Sequence, residues 1–158
     1  MKTAVIYYSL EGNTEFIAKK IAEKTQGDMI KLVPDKDYPT GKISKFFWGG
    51  KSVMFGEKPK LKNTPIDIES YDRIFIGTPI WAGKFTPPIN TFLNTCKIRG
   101  KDIILFACHG GGGADKCFNK MKDILKDNNI IGTYDFVDPF FHNVEDWDAK
   151  VEKIIVSK

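Results

Sequence analysis

Unbroken apolar runs alternate along this chain with stretches in which apolar residues return every three or four positions. Ala4-Val5-Ile6-Tyr7-Tyr8, Ile74-Phe75-Ile76 and Ile103-Ile104-Leu105-Phe106-Ala107 are apolar at every position, the pattern of strands covered by helices on both faces. They predict strands over residues 4–8, 73–77 and 103–107. Phe16, Ile17, Ile21 and Ala22 recur at helical spacing, with Glu15, Lys19, Lys20 and Glu23 on the other side. That helix is expected to begin near Asn13 and to end at Gly27. Ile89, Phe92, Leu93 and Cys96 predict a second helix, entered through Pro87-Pro88. Cys117, Phe118, Met121, Ile124 and Leu125 predict a third. Val144, Trp147, Val151, Ile154 and Ile155 predict a last one, with Asn143 as its cap and Glu145 and Asp146 in its first turn. Residues 29–33 form a strand between Gly27-Asp28 and Pro34, and residues 134–137 an edge strand. Residues 34–65 hold Phe46, Phe47, Trp48, Val53, Met54 and Phe55; a glycine-interrupted helix laying its rings on the sheet fits them, with a partner or ligand surface as the alternative.

Strands that alternate with helices pair in parallel, because each return crossover is helical and right-handed. The expected fold is therefore α/β, a doubly wound three-layer sandwich whose five-stranded parallel sheet runs in the order 2-1-3-4-5. A chain of 158 residues fills one such domain, spanning 1–158. Apolar residues at 42% and charged residues at 28% exclude the disordered and fibrous classes. Cys96, Cys108 and Cys117 form no C-x-x-C pair, so reduced thiols are expected. The net charge of +4 comes from scattered lysines without a dense run, which points away from nucleic acid and membrane as partners. Met1-Lys2-Thr3 enters a strand at once and leaves no room for a signal peptide, so a cytoplasmic location is expected.

Chemistry gathers in the turns that follow the predicted strands. Ser9-Leu10-Glu11-Gly12-Asn13-Thr14 offers two hydroxyls, a glycine turn and the unpaired N–H groups of a helix start, the makings of a phosphate cradle. An ordinary turn capped by Asn13 or Thr14 is the plainer alternative. Thr78-Pro79-Ile80-Trp81-Ala82-Gly83-Lys84 reads as a loop stiffened by Pro79, with Trp81 presenting a flat ring at its tip. Cys108-His109-Gly110-Gly111 opens a tetraglycine run against which a ligand can approach the backbone closely. In an open sheet of this order, loops at the strand C-termini share one edge and the crevice opens where strand order reverses. A phosphate-tailed flat ring system would use all three turns, and flavin mononucleotide (FMN) has that shape.

The three motifs resemble those of the flavodoxin family, and the resemblance covers essentially the whole chain. Flavodoxin is itself the known example of this strand order with FMN at the switch point. The resemblance implies that Ser9, Gly12, Asn13 and Thr14 bind the phosphate. It also implies that residues 79–84, with His109, Gly110 and Gly111, hold the isoalloxazine. It implies a carrier of single low-potential electrons between redox partner proteins, a donor reductase and an acceptor enzyme, working as a monomer. Two features depart from the family pattern. The turn after the fourth strand has His109 and glycines where many members place a second aromatic, which leaves one ring face open. The chain is also mildly basic, with Lys84 beside the ring site and Lys116 near the tetraglycine, which implies a less negative potential than acidic members have. His109 is read as a neutral histidine bonded to a loop carbonyl, Cys108 as a packing residue, and His142 has no role.

Two other readings stand beside the carrier. One is an FMN-dependent NAD(P)H:quinone or acceptor oxidoreductase; no G-x-G-x-x-G fingerprint is present, although a nicotinamide can stack directly on a flavin. The other is a flavin-free binding module. A phosphoacceptor switch lacks its acidic residues, since Tyr8-Ser9 and Gly77-Thr78 occupy those places. A P-loop is excluded because Lys45 stands where its upstream glycine belongs, ahead of Gly50-Lys51-Ser52.

Overall fold

Every residue of the first strand, Thr3–Tyr7 (β1), is buried, as expected for a strand with a neighbour on each edge and helices on each face. The computed structural model describes residues 1–39, 51, 56–141 and 146–156. After β1 come α1 (Asn13–Thr25), β2 (Asp28–Lys31), β3 (Arg73–Trp81), β4 (Lys84–Phe85), α2 (Pro87–Thr95), β5 (Asp102–His109), α3 (Asp115–Ile124), β6 (Asn129–Val137) and α4 (Trp147–Ile155). The sheet runs β2-β1-β3-β5-β6 with all these neighbours parallel, and β4 pairs antiparallel with the end of β3. This is the doubly wound order predicted from the sequence, with one short strand added.

Strand alternation sorts the core into two layers. Val5, Tyr7, Phe75, Ile104 and Phe106 face α1 and α4, meeting Ile17, Ile21, Trp147 and Val151. Ala4, Ile6, Ile74, Ile76 and Leu105 face α2 and α3, meeting Ile89, Phe92, Phe118 and Met121. Two exposed ion pairs, Lys20 to Asp148 at 3.0 Å and Lys24 to Glu152 at 2.8 Å, lie where α1 runs beside α4. Pairs of this kind add little to stability, so burial of the two apolar faces holds the helices down.

Several elements differ from expectation for local reasons. β3 does not stop at Gly77 but continues to Trp81, so the expected loop is a β-hairpin. α1 is closed by Gln26 in the left-handed region, at φ 51°, and not by Gly27. Gly27 is needed for space instead, since a Cβ there would lie 2.9 Å from Thr25 Oγ1 and 3.2 Å from Thr3. β6 begins at Asn129, well before the predicted edge strand. A bulge opposite Ile103 and Ile104, together with Gly132, disguises its first half as a turn. α4 is capped by Asp146, whose side chain accepts from the Ala149 N–H at 3.1 Å. Asn143, Val144, Glu145 and His142 lie outside the described residues, as do Phe46, Phe47, Trp48, Val53, Met54 and Phe55 of the predicted aromatic helix. No helix among the described residues is long and apolar enough to cross a membrane.

Candidate functional site

A cleft of about 570 Å³ opens beyond the C-terminal ends of β1 and β3. The turn from β1 into α1 forms one wall. Ser9 Oγ accepts from the Gly12 N–H at 3.2 Å and closes the turn, while Gly12 stands at the helix N-cap with φ 99°, a conformation that favours glycine. Neither Asn13 nor Thr14 caps the helix: the N-cap is Gly12, which has no side chain to bond the first turn, and Asn13 Oδ1 accepts from the Phe140 N–H at 2.8 Å. Thr14 is fully buried at the cleft, and its hydroxyl, beside the Cys108 thiol, makes no hydrogen bond of good geometry. Buried hydroxyls are normally satisfied, so an orphan of this kind marks the place of an absent polar partner.

The opposite wall is the β3–β4 hairpin. Ile80 pairs with Phe85 and Trp81 with Lys84, leaving Ala82-Gly83 as a two-residue turn. Both have positive φ, 49° and 75°, the requirement of a type I′ turn. Trp81 is consequently the last residue of a strand and not a loop tip. Its ring packs edge-on against Tyr38 at 5.2 Å and Tyr8 at 5.9 Å, which fixes the indole at the cleft. Burial pushes the Tyr8 phenol well above its ordinary value and that of Tyr38 up to about 12, so both keep their protons at neutral pH. Thr78, also fully buried, braces the hairpin from beneath by accepting from the Thr86 N–H at 3.2 Å.

His109 ends β5 and lines the far side of the cleft. Its Nδ1 accepts from the Gly111 N–H at 3.0 Å, so the ring proton sits on Nε2, which meets Asp135 Oδ2 at 2.9 Å. The expected bond to a loop carbonyl is thus replaced by a carboxylate from the neighbouring strand. The Cys108 and Cys117 thiols are both driven up to about 12 by burial, which makes them inert packing groups.

That histidine bond holds the Asp135 carboxyl below its usual range, with Lys150 assisting and burial opposing. A depressed folded-state pKa adds stability that is complete above the unfolded value of about 4 and fades as pH falls through the folded one. Asp135→Asn is therefore expected to flatten the acid limb of stability. Urea midpoints measured from pH 6 to pH 3 should fall further in the parent than in the variant. Parallel limbs would show that the pair contributes nothing.

Of the residues singled out in the sequence, Ser9, Leu10, Glu11, Asn13 and Thr14 line the cleft from β1, and Pro79, Ile80, Trp81, Ala82 and Gly83 from the hairpin. Cys108, His109, Gly110 and also Gly112 complete the lining after β5. Gly12, Thr78 and Gly111 shape those turns without lining the cleft. Lys84 is absent from this lining and lines a neighbouring cleft. Sequence reasoning missed the turn after β6. Asp138 lines the cleft, and the Phe140 ring comes within 3.9 Å of where a Cβ on Gly12 would stand. The available signal was Pro139-Phe140-Phe141, exposed aromatics at the end of a strand whose C-terminus shares the same sheet edge.

A cleft at the reversal point of a doubly wound parallel sheet, walled by the turns after β1 and β5 and by the β3–β4 hairpin, defines a switch-point ligand site. The chain belongs to the flavodoxin family, whose sequence model matches residues 2–134. Among solved structures it is similar to a candidate flavoprotein from Bacteroides uniformis ATCC 8492, with 25% identity, 98% of this chain and 97% of that one covered, and a TM-score of 0.83. A candidate flavoprotein from Bacteroides eggerthii DSM 20697 has 24% identity over 99% of both chains and a TM-score of 0.80. A flavoprotein from Lactobacillus acidophilus NCFM, solved in complex with FMN, has 22% identity over 98% of both chains and a TM-score of 0.76.

Proposed function

We propose that this chain binds FMN in the switch-point cleft and carries electrons between redox partner proteins, as a monomer in the cytoplasm. The observation that carries the reading is the Thr14 hydroxyl, buried and unsatisfied in the turn that begins α1. A phosphate oxygen is the acceptor that turn is built for, because the helix start directs further N–H groups and its positive dipole end to the same place. Membership of the flavodoxin family and the FMN complex of the L. acidophilus protein support it. So does the cleft volume of about 570 Å³, within the roughly 300–1,000 Å³ of small-molecule sites.

Thr14 and Ser9 would take the phosphate, the Trp81 indole would flank the ring system, and the backbone of Ala82-Gly83 and Gly110 would border the ring edge. Bound there, FMN would supply one- and two-electron redox chemistry. The protein's part is to fix the ring, exclude water with Trp81 and Ile80, and hold His109 as a neutral donor to Asp135. Purified protein should quench the fluorescence of added FMN with one-to-one stoichiometry and stay yellow after gel filtration. Colourless protein after incubation with excess FMN would end the proposal. Rapid bleaching of bound flavin by NADPH alone would replace the carrier with the oxidoreductase.

A further inference from the structure

The switch-point cleft has a neighbour. A second cleft of about 750 Å³ borders β4 of the hairpin and shares Ala82 and Gly83 with the first as a common wall. Its floor is apolar: Phe85 and Pro87 come from the hairpin and α2, and Cys117 and Ile124 from α3. Around the rim stand Lys58, Lys84, Lys116 and Lys120, opposed by Glu57 alone. Among the described residues none of these four lysines makes an ion pair, whereas Lys19, Lys20 and Lys24 of α1 and Lys31 of β2 do. The α3 contribution follows from helical spacing. Lys116, Lys120 and Ile124 recur every four residues and so share one face, which leaves Lys122 pointing away from the cleft, while Asp123, three residues after Lys120, borders that face without lining the cleft.

The remaining polar groups narrow the chemistry of an occupant. Both amide hydrogens of Asn90 are engaged, by Gly56 O at 3.1 Å and Glu57 O at 3.0 Å. Asn94 Nδ2 is likewise engaged, by Asn90 O and Asn90 Oδ1 at 2.8 and 2.9 Å. α2 opens with Pro87-Pro88, so the helix start beside the cleft lacks the backbone donors that make a phosphate cradle. Of the side chains lining the cleft, the lysine ammonium groups are the ones left to meet a negative charge, and their flexible stems place those charges above an apolar floor.

We propose that this second cleft binds a small aromatic anion, a carboxylate or sulfonate on a ring system, with the ring on Phe85, Pro87 and Ile124 and the charge between Lys116, Lys120 and Lys84. A cavity of this volume falls in the roughly 300–1,000 Å³ range of small-molecule sites. The Ala82-Gly83 turn would then separate such an anion from whatever the switch-point cleft holds. The proposal does not depend on FMN binding.

The probe is 1,4-naphthoquinone-2-sulfonate, titrated into isotopically labelled full-length chain and followed by amide chemical shifts, with and without saturating FMN. Saturable shifts are expected at Lys84, Phe85, Lys116 and Ile124 in both conditions. The neutral 2-methyl-1,4-naphthoquinone should bind about tenfold more weakly or worse. A Lys116→Glu/Lys120→Glu variant should weaken the sulfonate by at least about tenfold, while Lys122→Glu, on the far face of α3, should leave it unchanged. Equal affinity for the neutral ring, an unaffected double variant, absence of saturable binding, or shifts confined to Ser9, Gly12 and Thr14 would each overturn the proposal. A chain that failed to bind FMN but showed the cleft shifts would uphold this site and reject the FMN reading alone.

Discussion

Replacing Thr14 with valine is expected to move two measurements in opposite directions. The FMN-free chain should melt at a higher temperature, and FMN should bind about 10- to 100-fold more weakly. Both effects come from one atom. Thr14 Oγ1 is fully buried and lacks a hydrogen bond of good geometry, a defect that costs about 1–3 kcal/mol in a folded chain. Valine is nearly isosteric, keeps the β-branch, and removes the unsatisfied oxygen. A hydrogen bond to a charged phosphate oxygen contributes about 1.5–3 kcal/mol, and each 1.4 kcal/mol is about tenfold in affinity. Thr14→Ser, which retains the hydroxyl, should keep most of that affinity. Paired thermal melts and FMN fluorescence titrations decide it. A valine variant less stable without FMN would mean that the hydroxyl already has a partner in the free chain. Unchanged affinity would mean that the phosphate lies elsewhere.

What the sequence revealed of this site was what local chemistry controls. The turn after β1 announces itself through Gly12 and two hydroxyls, and the turn after β5 through four consecutive glycines; both lie in adjacent residues. The hairpin after β3 did not announce itself, because its turn places Ala82, a residue with a side chain, in the left-handed region at φ 49°. A type I′ turn normally shows asparagine or aspartate there, and the pairing of Trp81 with Lys84 supplies the compensation that a sequence cannot display.

Contacts between distant elements were the least legible. The ring of Tyr8 reads as one more apolar residue of β1, and its meeting with Tyr38 and Trp81 depends on how three segments converge. The His109–Asp135 bond likewise follows from the β5–β6 register, in which Ala107 sits beside Asp135 and His109 beside Val137, so a diagonal reach joins the pair. Register in this strand pair is shifted by the bulge near Ile103, and no propensity rule locates such a bulge in advance. The lysines show the same limit. Proximity in sequence put Lys84 beside the ring site, yet in the folded chain it lines the second cleft with Lys116.

Gly77 offers the sharpest test of how the core positions the hairpin. It pairs with Phe106 across β3 and β5, and a Cβ on Gly77 would collide with Phe106 Cζ. The phenyl ring, itself fully buried, occupies the space that any side chain at position 77 would need. Its backbone φ is not in the left-handed region, so the glycine is required for volume and not for conformation. Gly77→Ala is therefore expected to destabilise the fold by about 3 kcal/mol or more, at or beyond the upper end of ordinary overpacking. Phe106→Ala alone should cost about 3–5 kcal/mol through the cavity it leaves. Combined, the two should cost less than their sum, because the added methyl fills part of that cavity and meets no ring. Urea unfolding of the parent, both single variants and the double variant closes the cycle. A coupling of at least about 1 kcal/mol in the compensating direction is expected. Additive costs would show that Phe106 is not what keeps position 77 free of a side chain, and that the path from β3 into the Trp81 hairpin is set by something other than this packing.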